Sequence, residues 1–297
     1  MRPAPPQERR IPAFGLGFMA GWRDAFLIAA FAAGWALCGA PPALAEDVAS
    51  KPPGRLCGGD EIARGTVGKI LDGRTFVLDD GREVRLAAIE VALLVGSEGR
   101  TESAGRAAAA ALDALAAGDQ VVLRRAESGP DRYGRLVAYA YTLRDDDEFL
   151  MQRELLAEGL ARVGGRIGYP CAGDLLDNEK AAREAKLGLW ADPYYEVLDA
   201  GSAKDALAHR GRFALVEGKV ASVRESGPTI YVNFGRRRIG DITVTILKRN
   251  ERSFTAAGLD LRGLAGRRIR VRGWVEGRGG ERAWIEAERP EQIETVN

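Results

Sequence analysis

The sequence has few residues of the types that build the commonest catalytic sites. Its 297 residues include one histidine, three cysteines and three methionines, and aromatic residues make up 7%. The single histidine, His209, has no partners at a spacing typical of a catalytic triad, and no glycine-rich phosphate loop is present. The sequence therefore gives no support for a triad hydrolase or a phosphate-loop nucleotidase.

The net charge is close to zero, because 43 lysines and arginines are balanced by 42 aspartates and glutamates. This balance conceals an asymmetry. Residues 46–194 carry 20 basic and 26 acidic residues, whereas residues 195–297 carry 19 basic and 14 acidic residues. With 46% hydrophobic and 29% charged residues, the composition is that of a globular protein long enough for two domains. The change of sign marks a candidate domain boundary.

The first 45 residues differ from the rest. Arg9, Arg10 and Arg23 precede an unbroken apolar stretch, Ala25–Ala40, which is followed by Ala43-Leu44-Ala45. This order is typical of a secretory signal peptide, so we predict cleavage after Ala45 and a periplasmic or secreted protein without a mature membrane span. A retained anchor is the alternative, since about 16 apolar residues are only slightly short of the roughly 20 that span a bilayer. A start at Met19 would give a more ordinary signal.

Two cysteines, Cys57 and Cys171, remain after residues 1–45 are removed. Exported proteins meet an oxidising environment, so the pair predicts one disulfide. Two unrelated buried thiols are the alternative.

After Gly65, apolar and polar residues alternate with the period of two that is typical of half-buried strands. Asp72-Gly73 and Asp80-Gly81 are hairpin signals. Five strands are predicted at residues 66–71, 75–78, 84–89, 121–123 and 136–141. Three helices are predicted at residues 102–117, 148–158 and 175–187. Five short strands with a helix between the third and fourth form the layout of a small OB-type barrel. We assign this domain to residues 62–194, after an extension at residues 46–61.

The second half repeats this order of elements. Strands are predicted at residues 212–224, 229–234, 241–247, 268–275 and 283–286, with a helix at residues 251–257 between the third and fourth strands. We therefore predict a second OB-like β-barrel at residues 212–297, after a linker at residues 195–211. The predicted fold class is β-rich α+β.

Four motifs in the first domain carry a family resemblance. They lie at Ile70–Thr75 with Val84–Glu90, at Asp131–Tyr139, at Leu155–Ala161 and at Glu184–Trp190. In this order, over about 130 residues, they resemble the thermonuclease (staphylococcal-nuclease-like) family. Its members usually read I-D-G-D-T, R-L-x-x-I-D-x-P-E, D-x-Y-G-R-x-x-A-Y, L-x-x-x-G-L-A and A-K-x-x-x-G-x-W. The resemblance covers residues of about 62–192 and implies a nuclease fold.

The resemblance also implies a site. In the family, carboxylates hold a calcium ion, a glutamate activates or orients the attacking water, and two arginines grip the scissile phosphate. The two arginines correspond to Arg85 and Arg135, and one metal-ligand carboxylate corresponds to Glu90. The other metal-ligand position is Arg74, and the position of the general base is Leu93.

These replacements lead to expectations about the site. We expect Arg74 to pair with Glu90, so that no cofactor is needed and calcium binds only if the family site still works. For Arg85 and Arg135, phosphate contact and a structural salt bridge both stay open. Tyr133 is the retained aromatic residue and could stack on a base. A carboxylate from Glu98, Asp131 or the run Asp145–Glu148 remains an alternative source of a ligand.

The basic second domain offers a further candidate surface. The residues predicted to contact single-stranded nucleic acid or another anionic polymer are Arg236, Arg237, Arg238, Arg270, Arg272 and Trp274. A solvated strand face is one alternative. Docking of the two oppositely charged halves, which would consume these arginines, is another.

Three functions follow from these features. The leading hypothesis is a degenerate nuclease that acts as a binding module for nucleic acid or another anionic polymer. The alternatives are an active exported nuclease with a modified site and a structural envelope protein that uses both barrels for protein contacts. The oligomeric state is left open.

Overall fold

The computed structural model describes residues 57–94, 99–126, 129–144, 147–164, 171–235, 240–278 and 282–296. The predicted signal peptide and the loop with Arg236, Arg237 and Arg238 lie outside these residues. No helix of the described part is long and apolar enough to cross a membrane.

The first half of the described chain mixes eight strands with three helices. The strands are β1 (Glu61–Asp72), β2 (Thr75–Leu78), β3 (Glu83–Leu86), β4 (Ile89–Val91), β5 (Gln120–Arg125), β6 (Leu136–Arg144), β7 (Asp147–Leu150) and β8 (Ala161–Val163). The helices are α1 (Gly99–Ala116), α2 (Met151–Ala157) and α3 (Ala172–Glu184). The strand β7 was not predicted, and α2 begins three residues later than expected because Asp147–Leu150 pairs with β6.

Five of these strands close into a hydrogen-bonded ring, called here the first ring. The order is β1-β2-β3-β6-β5, and β5 returns to β1. Only the β3–β6 pairing is parallel. The long β1 shifts its register within each of its pairings, so it bends enough to pair with β2 and β5. Alternate side chains such as Val67, Phe76 and Leu86 fill the interior, while β4 and β8 form a separate antiparallel pair outside the ring.

The second half has eight further strands and two helices. The strands are β9 (Leu198–Asp199), β10 (Phe213–Lys219), β11 (Ser222–Ser226), β12 (Thr229–Asn233), β13 (Ile242–Leu247), β14 (Arg268–Arg278), β15 (Arg282–Glu286) and β16 (Ile293–Val296). The helices are α4 (Ala203–Ala208) and α5 (Glu251–Ala256).

A second ring closes in the same order as the first. Strands β10 and β11 are consecutive parts of one run that breaks at Val220 and Ala221, where a single strand was predicted. From this run the pairings lead to β12, β13, β15 and β14 and back to β10. The β13–β15 pairing is parallel, as β3–β6 is in the first ring. The helix α5 lies between the third and fourth strands, where α1 lies in the first half.

The segment predicted as a linker, residues 195–211, is ordered into β9 and α4. Strand β9 pairs in parallel with β10. Ala200, Ala203 and Ala206 are buried in the hydrophobic core of the second ring. The segment therefore packs as part of the second half.

The two rings meet through a buried junction, and Lys51–Asn297 forms one compact unit. Ala182 and Trp190 from the first half pack against Phe213 and Leu215 on β10. Beside them, the Arg272 guanidinium donates to both carboxylate oxygens of Glu179, at 2.8 and 3.1 Å. Since Arg272 and Glu179 are 1% and 0% exposed at their side chains, this ion pair is fully enclosed.

The last two motifs of the first domain meet at two glycines. Gly159 has φ of +69°, and a β-carbon there would lie 2.3 Å from the Leu187 carbonyl oxygen. Gly188 has φ of +51° and its β-carbon would lie 2.5 Å from the Gly159 oxygen. The Leu189 N–H donates to that same oxygen at 2.8 Å. Only glycine fits this backbone crossing, which explains the spacing of both motifs.

The predicted disulfide between Cys57 and Cys171 is confirmed. It joins the chain ahead of β1 to the start of α3, across a separation of 114 residues, with α-carbons 5.3 Å apart. The Tyr141 hydroxyl accepts a hydrogen bond from the Cys57 N–H at 2.6 Å and donates to the Cys57 carbonyl at 3.0 Å. In the loop-closure account, a bridge of this span contributes about 5 kcal/mol to stability.

Candidate functional site

The candidate site lies where the turn after β1, the strands β3 and β4 and the turn before β6 come together. At the first turn, the Asp72 carboxylate accepts the Arg74 backbone N–H at 2.8 Å, which holds the turn closed. A β-carbon at Gly73 would lie 2.5 Å from the Ala108 β-carbon, so glycine lets α1 pack directly on this turn. The packing fixes the direction in which Arg74 leaves the backbone.

Arg74 is buried and engaged by β4. Its Nη1 donates to the Ile89 carbonyl at 3.0 Å and to Glu90 Oε2. Both partners are shielded, with side-chain exposures of 10% for Arg74 and 9% for Glu90. The expected pairing is therefore present, and the Arg74 guanidinium occupies the place beside Glu90 where the resemblance implies a second carboxylate.

Arg85 is the more accessible cation of the site. Its Nη2 lies 3.8 Å from Glu90 Oε1, and its side chain is 28% exposed. Burial lowers the pKa of the Arg85 guanidinium, and the nearby charges of Arg74 and Arg135 lower it further. The carboxylates of Glu90 and Asp72 act in the opposite direction. Because the Arg85 side chain is partly exposed and makes no short ion pair, it is the cation of the site that an anion could reach.

Arg135 is held within its own turn. Its Nε donates to Asp131 Oδ2 at 2.8 Å, and Asp131 Oδ1 accepts the Tyr133 and Arg135 N–H groups at 2.9 and 3.1 Å. Burial alone would raise the pKa of Asp131, but the hydrogen bonds from Arg135 and Tyr133 outweigh it and lower this pKa. Asp131 therefore acts as the ionised anchor of the turn.

Tyr133 extends from this turn into solvent, with 65% of its surface exposed. The guanidinium of Arg132 lies 4.7 Å from its ring centroid and that of Arg135 lies 5.0 Å away. An aromatic ring bracketed by two cations presents a flat face next to positive charge.

The side chains present do not fit a calcium site. Within the described ranges no three His, Cys, Asp or Glu side chains are grouped to hold a metal. The Glu90 carboxylate is occupied by Arg74, and Leu93, which is 46% exposed, has no oxygen to offer. Of the alternative carboxylates, Asp131 binds Arg135 and Glu148 binds Arg124 at 3.1 Å. Glu98, Asp145 and Asp146 lie outside the described residues.

The arginines predicted on β14 are engaged within the protein. Arg270 Nη2 donates to Glu217 Oε2 at 2.6 Å, and its Nη1 reaches Glu294 at 3.4 Å. Arg272 is buried in the junction with Glu179 and Glu294. The Arg272–Glu179 contact is that of the alternative in which the two halves dock, whereas Arg270 pairs with carboxylates of the second half itself. Trp274, beside them on β14, remains 46% exposed and meets Phe213 edge-on, with centroids 6.2 Å apart.

Arg162 was not singled out in the sequence. It pairs with Glu90 in the β4–β8 register and is buried. Its Nη1 donates to the Phe213 carbonyl at 2.8 Å, and the rings of Tyr195 and Phe213 lie 5.2 Å from its guanidinium. Burial lowers the pKa of Arg162. A charged residue within the short apolar strand β8 was the available signal, but the partner from β10 could not be read from the sequence.

One comparison with known families gives a match to part of the chain. Residues 83–192 match the family model described as staphylococcal nuclease homologue. The matched segment contains Arg85, Glu90 and Arg135, and it ends just after the second of the two paired glycine motifs. A comparison with curated proteins finds no match to the chain. The family resemblance is confirmed for this segment.

Proposed function

From the staphylococcal-nuclease-homologue domain at residues 83–192, we propose a protein that binds single-stranded nucleic acid but does not use the family's calcium-dependent cleavage. The observation that carries this proposal is the buried Arg74–Glu90 pair. It leaves Arg85 and Arg135 in place and occupies Glu90, the one carboxylate that the resemblance retains as a metal ligand. The protein is a degenerate nuclease that works as a binding module.

Electrostatics disfavours calcium beside Arg74. At about 4 Å, a guanidinium and a divalent cation repel by roughly 8 kcal/mol even at an effective dielectric constant near 20. Calcium would also have to displace Arg74 from Glu90 Oε2 and the Ile89 carbonyl. A hard divalent cation needs several oxygen ligands to repay these costs, and the described site provides one carboxylate that is already paired.

The same site suits a phosphate group. Arg85 is partly exposed and repelled by its cationic neighbours. A planar guanidinium donates two parallel hydrogen bonds to a phosphate. Tyr133 supplies an exposed ring next to Arg135, and base stacking on such a ring does not depend on sequence. The ligand class that combines repeated phosphates with accessible base faces is single-stranded nucleic acid.

The proposal places the protein outside the cytoplasm. Residues 1–45 have the order of a signal peptide, and a disulfide between Cys57 and Cys171 persists in an oxidising compartment. We also propose that residues 62–194 and 212–297 are two OB-type domains. The identical strand order of the two rings supports that reading.

A binding and cleavage assay tests the proposed function. Protein lacking residues 1–45 is mixed with labelled single-stranded DNA, with and without calcium and other divalent ions. We expect salt-dependent binding without cleavage, and at least tenfold weaker binding for an Arg85→Ala, Arg135→Ala variant. The matched control is Arg64→Ala, Arg82→Ala, which removes two exposed arginines outside the site.

Each other outcome of this assay selects a different function. Cleavage that disappears in the Arg85→Ala, Arg135→Ala variant would show an active nuclease with a modified site. Equal binding by that variant and its control would show that Arg85 and Arg135 do not contact the nucleic acid. The absence of both binding and cleavage would favour the structural envelope protein.

Restoring the acidic residues tests the position-by-position comparison with the family. The substitutions Arg74→Asp and Leu93→Glu place carboxylates beside Glu90 and on an exposed position. Three carboxylates that repel one another are stabilised by a cation, so calcium should raise the melting temperature of this variant and not that of the native protein. Calorimetric titration checks the binding directly. If calcium changes neither quantity in the variant, the comparison is misaligned.

A further inference from the structure

A second basic surface lies at the opposite end of α3 from the Glu184 terminus. An open groove of about 1280 Å³ runs between the first turn of α3 and the second ring. Two stretches of the second half line it: residues from 249–259 around α5, called here the α5 wall, and residues from 288–295 ahead of and within β16, called here the β16 wall. Ala172 and Gly173, the first residues of α3, also line it.

Three arginines line this groove. Arg249 and Arg252 stand three residues apart on the α5 wall, so their side chains lie on the same face. Arg289 lies on the β16 wall. In the described part of the protein none of the three has a carboxylate partner, in contrast to Arg268 and Arg270, which share Glu217. Their charge is therefore available to a ligand.

Two carboxylates also line the groove, and both stand on the wall of Arg289. They are Glu288 and Glu291. Glu291 Oε2 is shielded from solvent and has no hydrogen-bond partner among the described residues. The α5 wall is the more basic of the two, since Arg249 and Arg252 face the groove there and the nearest acidic residue, Glu251, binds Arg262.

The size and lining of the groove narrow the class of ligand. Small-molecule pockets usually measure about 300–1,000 Å³ and are mostly apolar and enclosed. This groove is larger and open, and its lining includes small residues such as Ala256, Ala257 and Gly258. No side chain among its described lining residues is aromatic, so recognition would rest on a charged backbone and not on base stacking.

We propose that the groove binds the phosphate backbone of single-stranded nucleic acid, with phosphates held between Arg249 and Arg252 on one wall and Arg289 on the other. This inference rests on the proposed function and extends it, because it adds a second contact surface on the other half of the protein. Arg85 and Arg135 then hold one part of the strand and the groove holds another.

Oligonucleotides of two lengths test the groove in the full protein. The variant is Arg249→Ala, Arg252→Ala, Arg289→Ala, and its control of equal charge is Arg125→Ala, Arg224→Ala, Arg282→Ala, three exposed arginines outside the groove. For an oligonucleotide of about 16 nucleotides we expect at least tenfold weaker binding by the groove variant. The slope of log affinity against log salt should fall by about 2, as expected for three lost phosphate contacts on a single strand. An oligonucleotide of about 4 nucleotides should bind both proteins equally.

A charge change of opposite sign gives an independent check. Glu288→Gln removes a negative charge from the groove, so it should strengthen binding of the longer oligonucleotide. Equal losses in the groove variant and its control, or weaker binding with Glu288→Gln, would overturn the inference. Those results would leave the proposed function intact if the Arg85→Ala, Arg135→Ala variant still lost affinity. If the native protein bound neither oligonucleotide, both proposals would fail together.

Discussion

Arg74 and Glu90 form a buried ion pair at the two positions where the family resemblance implies calcium ligands. Neither side chain is more than a tenth exposed, and Arg74 also binds the Ile89 carbonyl. Removing one partner of a buried pair leaves an uncompensated charge, which costs more than the pair contributes. A single substitution at either residue should therefore destabilise the whole site.

The substitution Arg74→Met should lower the free energy of unfolding by about 3–5 kcal/mol, because Glu90 would lose its direct partner and its remaining ion-pair partner, Arg85, lies 3.8 Å away. Urea unfolding measures the loss. The matched control is Arg82→Met, which breaks an exposed pair with Asp80 and should cost less than about 1 kcal/mol. Adding Glu90→Gln to Arg74→Met should recover part of the loss. Equal effects of Arg74→Met and Arg82→Met would contradict the prediction.

Tyr141 links stability to alkaline pH. Burial raises its pKa from 10.0 to about 12, although the hydrogen bond with Cys57 acts in the other direction. Between these values the unfolded chain releases the proton while the folded protein keeps it, so stability should be full below pH 10 and fall as pH rises toward 12. Unfolding curves at several pH values measure the slope. Tyr141→Phe should flatten it, and an unchanged slope in that variant would assign the effect to another group.

The C-terminus of helix α3 places a lysine in a backbone conformation that usually belongs to glycine. It ends in a Schellman motif, in which the Leu187 N–H donates to the Ala182 carbonyl and the Lys186 N–H donates to the Arg183 carbonyl. The residue in the left-handed conformation is Lys186, with φ of +53°. Glycine is the usual residue at such a position because it has no β-carbon to strain.

Lys186→Gly should therefore raise the free energy of unfolding by about 1 kcal/mol, since the side chain is exposed and makes no buried contact that would be lost. Thermal unfolding detects the change. Lys180→Gly is the control, because that residue lies in the helical interior and glycine should destabilise it there by about 1 kcal/mol. A lower melting temperature for Lys186→Gly would show that the terminus is held by contacts other than these hydrogen bonds.

Most elements could be predicted from alternation and turn signals, because strand periodicity and Asp-Gly turns are local properties. The site residues Arg74, Arg85, Glu90 and Arg135 could be placed because their motifs fix their positions in the chain. The burial of Arg272 in the junction could not be predicted. Its alternation on β14 shows only that it faces outward, and an outward face meets either solvent or another part of the protein. The burial of β9 and α4 could not be predicted for the same reason, because the sequence does not show which part of the protein packs against them.

At the scale of the whole molecule, Glu179 is the central acceptor of the junction. It receives two hydrogen bonds from Arg272, one from Arg183 at 2.9 Å and one from the Val163 N–H at 2.5 Å. Burial alone would lower the pKa of Arg272, but Glu179 and Glu294 outweigh it and raise that pKa. The two halves of the protein thus share one set of enclosed charges.

Glu179→Gln should lower the free energy of unfolding by about 3–5 kcal/mol and separate the unfolding of the two rings. Urea unfolding followed by tryptophan fluorescence reports this, since Trp190 lies in the junction and Trp274 and Trp284 lie on the second ring. The control Glu184→Gln, at an exposed pair 4.0 Å from Lys180, should leave stability nearly unchanged. A single unshifted transition for Glu179→Gln would show that the junction contributes little.

The Arg272–Glu179 pair also bears on biosynthesis, because the two residues are 93 positions apart in the chain. A ribosome adds about 5–20 residues per second, so Glu179 is made roughly 5–20 s before its partner. During that interval the half-made protein carries an unneutralised carboxylate beside the bare apolar surface of Ala182 and Trp190. A chaperone that covers this surface until the last strands arrive would protect the nascent chain from aggregation.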